Sequence, residues 1–86
     1  MPVIARFCGI VIRLLCVRCL GPRMHAFYGD SELVVHVPTL RVVQGDVPVR
    51  IRELVLLWAR RHHRELLMDV DLLQRGQRPV AIAPLV

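Results

Sequence analysis

The chain has 86 residues, is 55% hydrophobic and carries twelve arginines, no lysine and seven carboxylates, for a net charge of +5. One domain of this size buries only about 60–65% of its unfolded surface, so so apolar a composition implies either a dense core or a covered face. No window is long enough to span a bilayer: the best candidate, Phe7–Leu20, is interrupted by Arg13 and Arg18, which also exclude a signal peptide. The expectation is a cytoplasmic, unprocessed protein without membrane contact. The basic balance directs it toward nucleic acid or an acidic partner, although arginine without lysine is also what a GC-rich coding bias produces.

The first half reads as β-structure. Val3–Phe7 and Ile10–Cys16 flank Cys8-Gly9, a two-residue hairpin turn. That register puts Val3, Ala5, Phe7, Ile10, Ile12, Leu14 and Cys16 on one apolar face, with Arg6, Val11 and Arg13 opposite. Val17–Gly21 reads as a loop closed by Pro22. Met24–Tyr28 and Glu32–Val37 follow as strands around Gly29-Asp30. A two-residue turn there places His25 and Phe27 outward beside Val34 and His36; a three-residue turn, with Ser31, sends them inward. Beyond Pro38-Thr39, Leu40–Gln44 is the last strand, with Leu40 and Val42 inward and Arg41 and Val43 outward.

The second half reads as helix. Gly45-Asp46 ends the sheet and Pro48 suits a first helical turn. Ile51, Leu54, Val55, Trp58 and His62 share a stripe that would cover the apolar sheet face. Arg50, Arg60, Arg61 and Arg64, extended by His63, lie on the far side, a charged face that ordinary solvation also explains. Glu65–Gln74 continues helical to a stop at Gly76, and Pro79 and Pro84 mark an extended tail. The predicted fold is α+β: a four- to five-stranded antiparallel sheet with one face covered by one or two C-terminal helices. Residues 1–86 form a single domain, with a β-rich half at 1–45, a helical half at 46–76 and a tail at 77–86.

Chemistry-bearing residues are few. Cys16 and Cys19 form a C-x-x-C pair with His25 beyond it, but zinc needs a fourth ligand and none has suitable spacing. With Cys8 they make an odd set, more consistent with free thiols than with disulfides. His25, Arg23 and Tyr28 could together support metal-independent ribonuclease chemistry, with His25 as base, yet the group lacks a distinct general acid. Arg13, Arg23, His25 and Tyr28 on the sheet, and Arg60, Arg61 and Arg64 on the helix, are the candidate nucleic-acid or anion contacts. No cofactor is implied, and the balance leans away from an enzyme.

The ordered fragments Pro2–Phe7, Gly9–Arg13, His25-Ala26-Phe27-Tyr28-Gly29-Asp30, Leu54–Ala59 with His62 and Glu65-Leu66-Leu67, and Ile82-Ala83-Pro84-Leu85 resemble the bacterial family catalogued as domain of unknown function 4160. The resemblance implies a small protein encoded beside another in a toxin–antitoxin-like pair. Expected partners are therefore RNA or DNA, or a cognate small protein from the neighbouring gene, with a homo-oligomer left open. Where the family carries Asp-His-x-Pro-Pro-His-Phe-His, this chain has Arg18, Cys19, Leu20, Gly21, Pro22, Arg23, Met24 and His25. Only the second proline and the last histidine remain, and Arg23 puts a cation where a ligand would stand. The expectation is a copy inactive in any histidine chemistry, or one that uses the site for anions. A binding subunit of a two-gene module is the resulting reading, with the ribonuclease and a purely protein-interacting module as alternatives.

Overall fold

Five strands follow one another as an antiparallel meander in the computed structural model, which describes residues 1–86. They are β1 (Val3–Phe7), β2 (Ile10–Val17), β3 (Gly21–Tyr28), β4 (Ser31–His36) and β5 (Arg41–Gly45), in the spatial order β1-β2-β3-β4-β5. Helices α1 (Val49–Arg61) and α2 (His63–Gln74) then pack on one face of the sheet, giving the α+β architecture anticipated above. Neither helix is long and apolar enough to cross a membrane.

Two short turns set the register. At Cys8-Gly9 both residues have positive φ, 51° and 76°, the left-handed pair that lets a two-residue loop follow the strand twist. At Gly29-Asp30 the pairing Tyr28↔Ser31, Phe27↔Glu32, His25↔Val34 and Arg23↔His36 establishes the two-residue turn. Arg23, His25 and Phe27 therefore point outward, while Met24 and Ala26 enter the core.

The core is the inward alternation of the strands: Ala5, Phe7, Ile10, Ile12, Leu14, Met24, Ala26, Leu33 and Val35. Three details differ from the sequence reading. A bulge in β1 lies between Val3↔Arg13 and Ala5↔Ile12, so Ile4 is buried and Val3 is displaced from the core face. A second irregularity, between Val35↔Val42 and Val34↔Gln44, sets Gln44 rather than Val43 opposite Val34, while Val43 is exposed as expected. Strand β3 begins at Gly21, not Met24, and the loop shrinks to Arg18–Leu20. Pro22 thus lies within a central strand, where it costs one ladder donor.

Ile51, Val55, Trp58 and Ala59 bury the inner side of α1, and Trp58 stacks on Phe7 with ring centroids 5.4 Å apart. The helix breaks at His62, so Arg64 belongs to α2 and the arginines do not line one continuous helix. His62 packs on Trp58, centroids 5.4 Å apart, and its Nδ1 bonds Glu65 Oε1 at 2.6 Å. α2 ends in a Schellman arrangement, with Gly76 N–H to the Leu73 carbonyl and Gln77 N–H to the Leu72 carbonyl, closed by Gly76 at φ 73°.

The tail is extended but not free. Val80 N–H donates to Asp69 Oδ1 at 2.8 Å, Ile82 N–H to the Ile4 carbonyl at 2.8 Å, and Trp58 Nε1–H to the Ala83 carbonyl at 2.9 Å. Ile82 is buried against the core. The tail therefore shields the outer edge of β1 at Ile4, an edge that would otherwise present unpaired backbone.

Candidate functional site

Because both helices cover one face, the opposite face of the sheet stays open. Strand alternation and the ladder registers place Arg6, Arg13, Arg23 and Arg41 there, with His25, Phe27 and His36. Arg13 lies directly opposite His25 on β2, and Val11 opposite Phe27. Arg6 and Arg41 are exposed, and Arg6, Val11, Arg13 and Phe27 line a shallow depression. Glu32 is the only carboxylate on any strand. The face is thus strongly cationic, with an aromatic centre.

His25 organises that centre. Its ring lies nearly parallel to that of Phe27, centroids 6.3 Å apart and planes at 16°. Nδ1 is 2.6 Å from Glu32 Oε2 on the neighbouring strand, which fixes the imidazole's orientation. Nε2 is closed off from solvent and has no hydrogen-bond partner within the protein; the same holds for Arg23 Nε. Arg13 is steadied by donating from Nη1 to the Met1 carbonyl at 2.8 Å. His36 bonds Thr39 Oγ1 through Nδ1 at 2.9 Å, and its Nε2 lies over Gly21.

The candidate residues divide. Arg13, Arg23 and His25 share the open face. Tyr28 does not join them: the alternation that turns His25 and Phe27 outward turns Tyr28 inward, where it packs beside the core and over Gly9. The proposed His25-Arg23-Tyr28 group is therefore not assembled. Arg60, Arg61 and Arg64 are exposed on the helical layer, on the other side of the sheet, and none has a carboxylate partner. His63, counted with them, instead turns inward to the Val37 carbonyl.

The C-x-x-C reading also fails geometrically. Cys16 belongs to the inner-face series of β2, Cys19 is exposed in the turn after it, and His25 points from the outer face of β3. No three His, Cys, Asp or Glu side chains converge as a metal site. Burial pushes the Cys16 thiol up, away from the thiolate that a metal or a redox reaction needs.

Glu32, which orients His25, is a further candidate that residue patterns alone do not single out. The same two-residue turn that aligned His25 with Val34 places Glu32 one alternation along the same face, diagonal to His25. The signal was present in the register.

Searches of curated proteins and of solved structures returned no match. A scan against protein families matched residues 9–69, from the β1–β2 turn to the middle of α2. The resembling segments Pro2–Phe7 and Ile82–Leu85 lie outside that span. The match covers well over half of the chain, which belongs to the family described as Domain of unknown function (DUF4160).

Proposed function

We propose that the open sheet face binds single-stranded nucleic acid, RNA in the first instance, and that this chain is the binding subunit of the toxin–antitoxin-like pair the family resemblance implies. The observation that supports this is the uncovered face itself: four arginines, one carboxylate, and the stacked His25–Phe27 pair at its centre. Guanidiniums spaced across neighbouring strands can follow a phosphate backbone. An aromatic platform between them can stack an unpaired base without reading its identity. A duplex offers no such base to a flat sheet.

Hydrolysis fits the same residues less well. A ribonuclease reading needs His25 Nε2 at a ribose hydroxyl, and that nitrogen is shut away from solvent. His36, the other imidazole on this face, is held by Thr39. Tyr28 lies on the wrong face.

The test is retention of single-stranded RNA, single-stranded DNA and duplex by the purified protein over a salt series, with substrate integrity scored in the same tubes. Expected is salt-sensitive binding of intact single strands. Arg13→Ala and Arg23→Ala should each lower the salt slope by about 0.7, while Arg60→Ala and Arg61→Ala leave it nearly unchanged. Absence of binding at low salt would sink the proposal and leave a protein partner as the occupant of this face. Cleavage abolished by His25→Ala would replace it with the enzyme.

A further inference from the structure

We infer that the chain also pairs with a second copy of itself through the outward stripe of α2, as a two-fold antiparallel helix pair. Leu67 and Met68 stand at the centre of that stripe, 42% and 62% exposed, two adjacent large apolar side chains open to solvent. Arg64 lies three positions before Leu67 and Asp71 three positions after Met68, and all four share one side of the helix with Leu72 in a shallow groove.

The charges identify the occupant. A two-fold axis through the midpoint of Leu67 and Met68 reverses the second helix. Each Leu67 then meets the partner helix's Met68 position, and each Arg64 position meets an Asp71 position twice over. A parallel pairing would set like charge against like. The stripe is therefore self-complementary in one orientation only, which is what a symmetric interface requires.

Neither end of the ion pair is committed elsewhere in a way that opposes this. Arg64 has no carboxylate partner within its own chain. Asp71 bonds Arg75 Nε at 3.0 Å, but both side chains are more than half exposed, so that contact contributes little and leaves a carboxylate oxygen to share. The twelve residues of α2 span about 18 Å, and the chain turns away at His62. The contact is short and sits at the weak end of specific interfaces. Association should be concentration-dependent. Pairing through α2 leaves the sheet face of each copy open, so this inference does not depend on the nucleic-acid reading.

Sedimentation velocity over a concentration series tests it. The wild type should move from monomer toward dimer as concentration rises. Arg64→Asp alone and Asp71→Arg alone each put like charges in contact at both ends, and each should weaken dimerisation roughly tenfold or more. Mixing the two single variants restores both opposite-charge pairs, so the mixture should form a heterodimer that neither forms alone; the double variant should recover likewise. Both positions are exposed, and circular dichroism would verify that the variants fold. A wild type that stays monomeric to roughly 1 mM would overturn the inference. A dimer indifferent to either charge reversal, or a mixture that recovers nothing, would do the same by placing the interface on another surface.

Discussion

His63 Nε2 lies 2.7 Å from the Val37 carbonyl and takes the place of a donor that Pro22 cannot provide. Val37 N–H donates to the Pro22 carbonyl at 3.1 Å, one half of an antiparallel hydrogen-bonded pair. The reciprocal bond would run from residue 22 back to the Val37 carbonyl, but proline has no N–H. Val37 is fully buried, so that carbonyl needs a donor from somewhere. The first residue of α2 supplies it, with the imidazole in its Nε2–H tautomer.

A double-mutant cycle makes this quantitative. His63→Ala leaves the Val37 carbonyl unpaired and should cost about 1–3 kcal/mol. Pro22→Ala alone restores a backbone donor that competes with His63, and should change stability little. In the Pro22→Ala background, His63→Ala should cost clearly less than in the wild type, because the ladder bond can now close. Urea unfolding of the four proteins measures the coupling; equal costs in both backgrounds would show that His63 acts only through packing.

Glu32 gives a prediction of opposite sign to the arginines. It is the only carboxylate on the strands, and it orients His25 from 2.6 Å. Glu32→Gln keeps an oxygen acceptor for the imidazole while removing the negative charge. RNA retention by the sheet face should strengthen several-fold at low salt, and the gain should shrink as salt rises. If Glu32 instead completed a catalytic pair, the same variant would weaken function and leave retention unchanged.

Much of this was legible in the sequence because strand alternation is unforgiving. Once the Gly29-Asp30 turn has two residues, Arg23, His25, Phe27, Glu32, Val34 and His36 must share a face, and the core residues between them must share the other. Grouping Tyr28 with His25 contradicted that same rule. The bulge at Ile4 was not legible, since a bulge depends on how the β1 edge meets the docked tail, a contact between the two ends of the chain. Pro22 points to the close of a loop in the sequence because a proline normally leaves a central ladder short of a donor. The residue that compensates comes from α2, and no local pattern announces it. The docking of the tail on Trp58 and Asp69 was hidden for the same reason.

Gly45 should tolerate no side chain. Its φ of 155° is one that L-residues rarely adopt, and a Cβ would stand 2.6 Å from Leu33 Cδ1 and 2.8 Å from Leu33 Cα. The second of these is backbone and cannot rotate away. Gly45→Ala should therefore destabilise by about 2 kcal/mol or more, chiefly by detaching β5 from β4. Hydrogen exchange would register this as lost protection at Asp46 N–H, which donates to the Glu32 carbonyl at 3.1 Å. Unchanged protection there would show that the strand end shifts at no cost.

Asp69 couples stability to pH. Its side chain is 2% exposed beneath the tail; Oδ1 accepts from Val80 N–H, and Oδ2 is buried without a partner. Burial pushes its carboxyl above the ordinary carboxylate range, and the nearby Glu65 charge adds to that, while the Val80 bond acts against it. The folded chain therefore holds this proton more tightly than the unfolded chain does. Between the raised value and the ordinary one, about 4, the folded state binds more protons, so stability falls as pH rises through that window. Above the raised value the cost of the buried charge is fully present, and below the ordinary one it is gone. Asp69→Asn removes the charge but keeps an oxygen for Val80. Relative to wild type, it should gain stability above that window and lose the advantage below it. Asp69→Ala removes the acceptor as well, costs about 0.5–1.5 kcal/mol for the lost tail bond, and should loosen Val80–Ala83. Unfolding midpoints across pH, followed by Trp58 fluorescence, measure both variants; parallel profiles for wild type and Asp69→Asn would show that the buried carboxyl does not set the pH dependence.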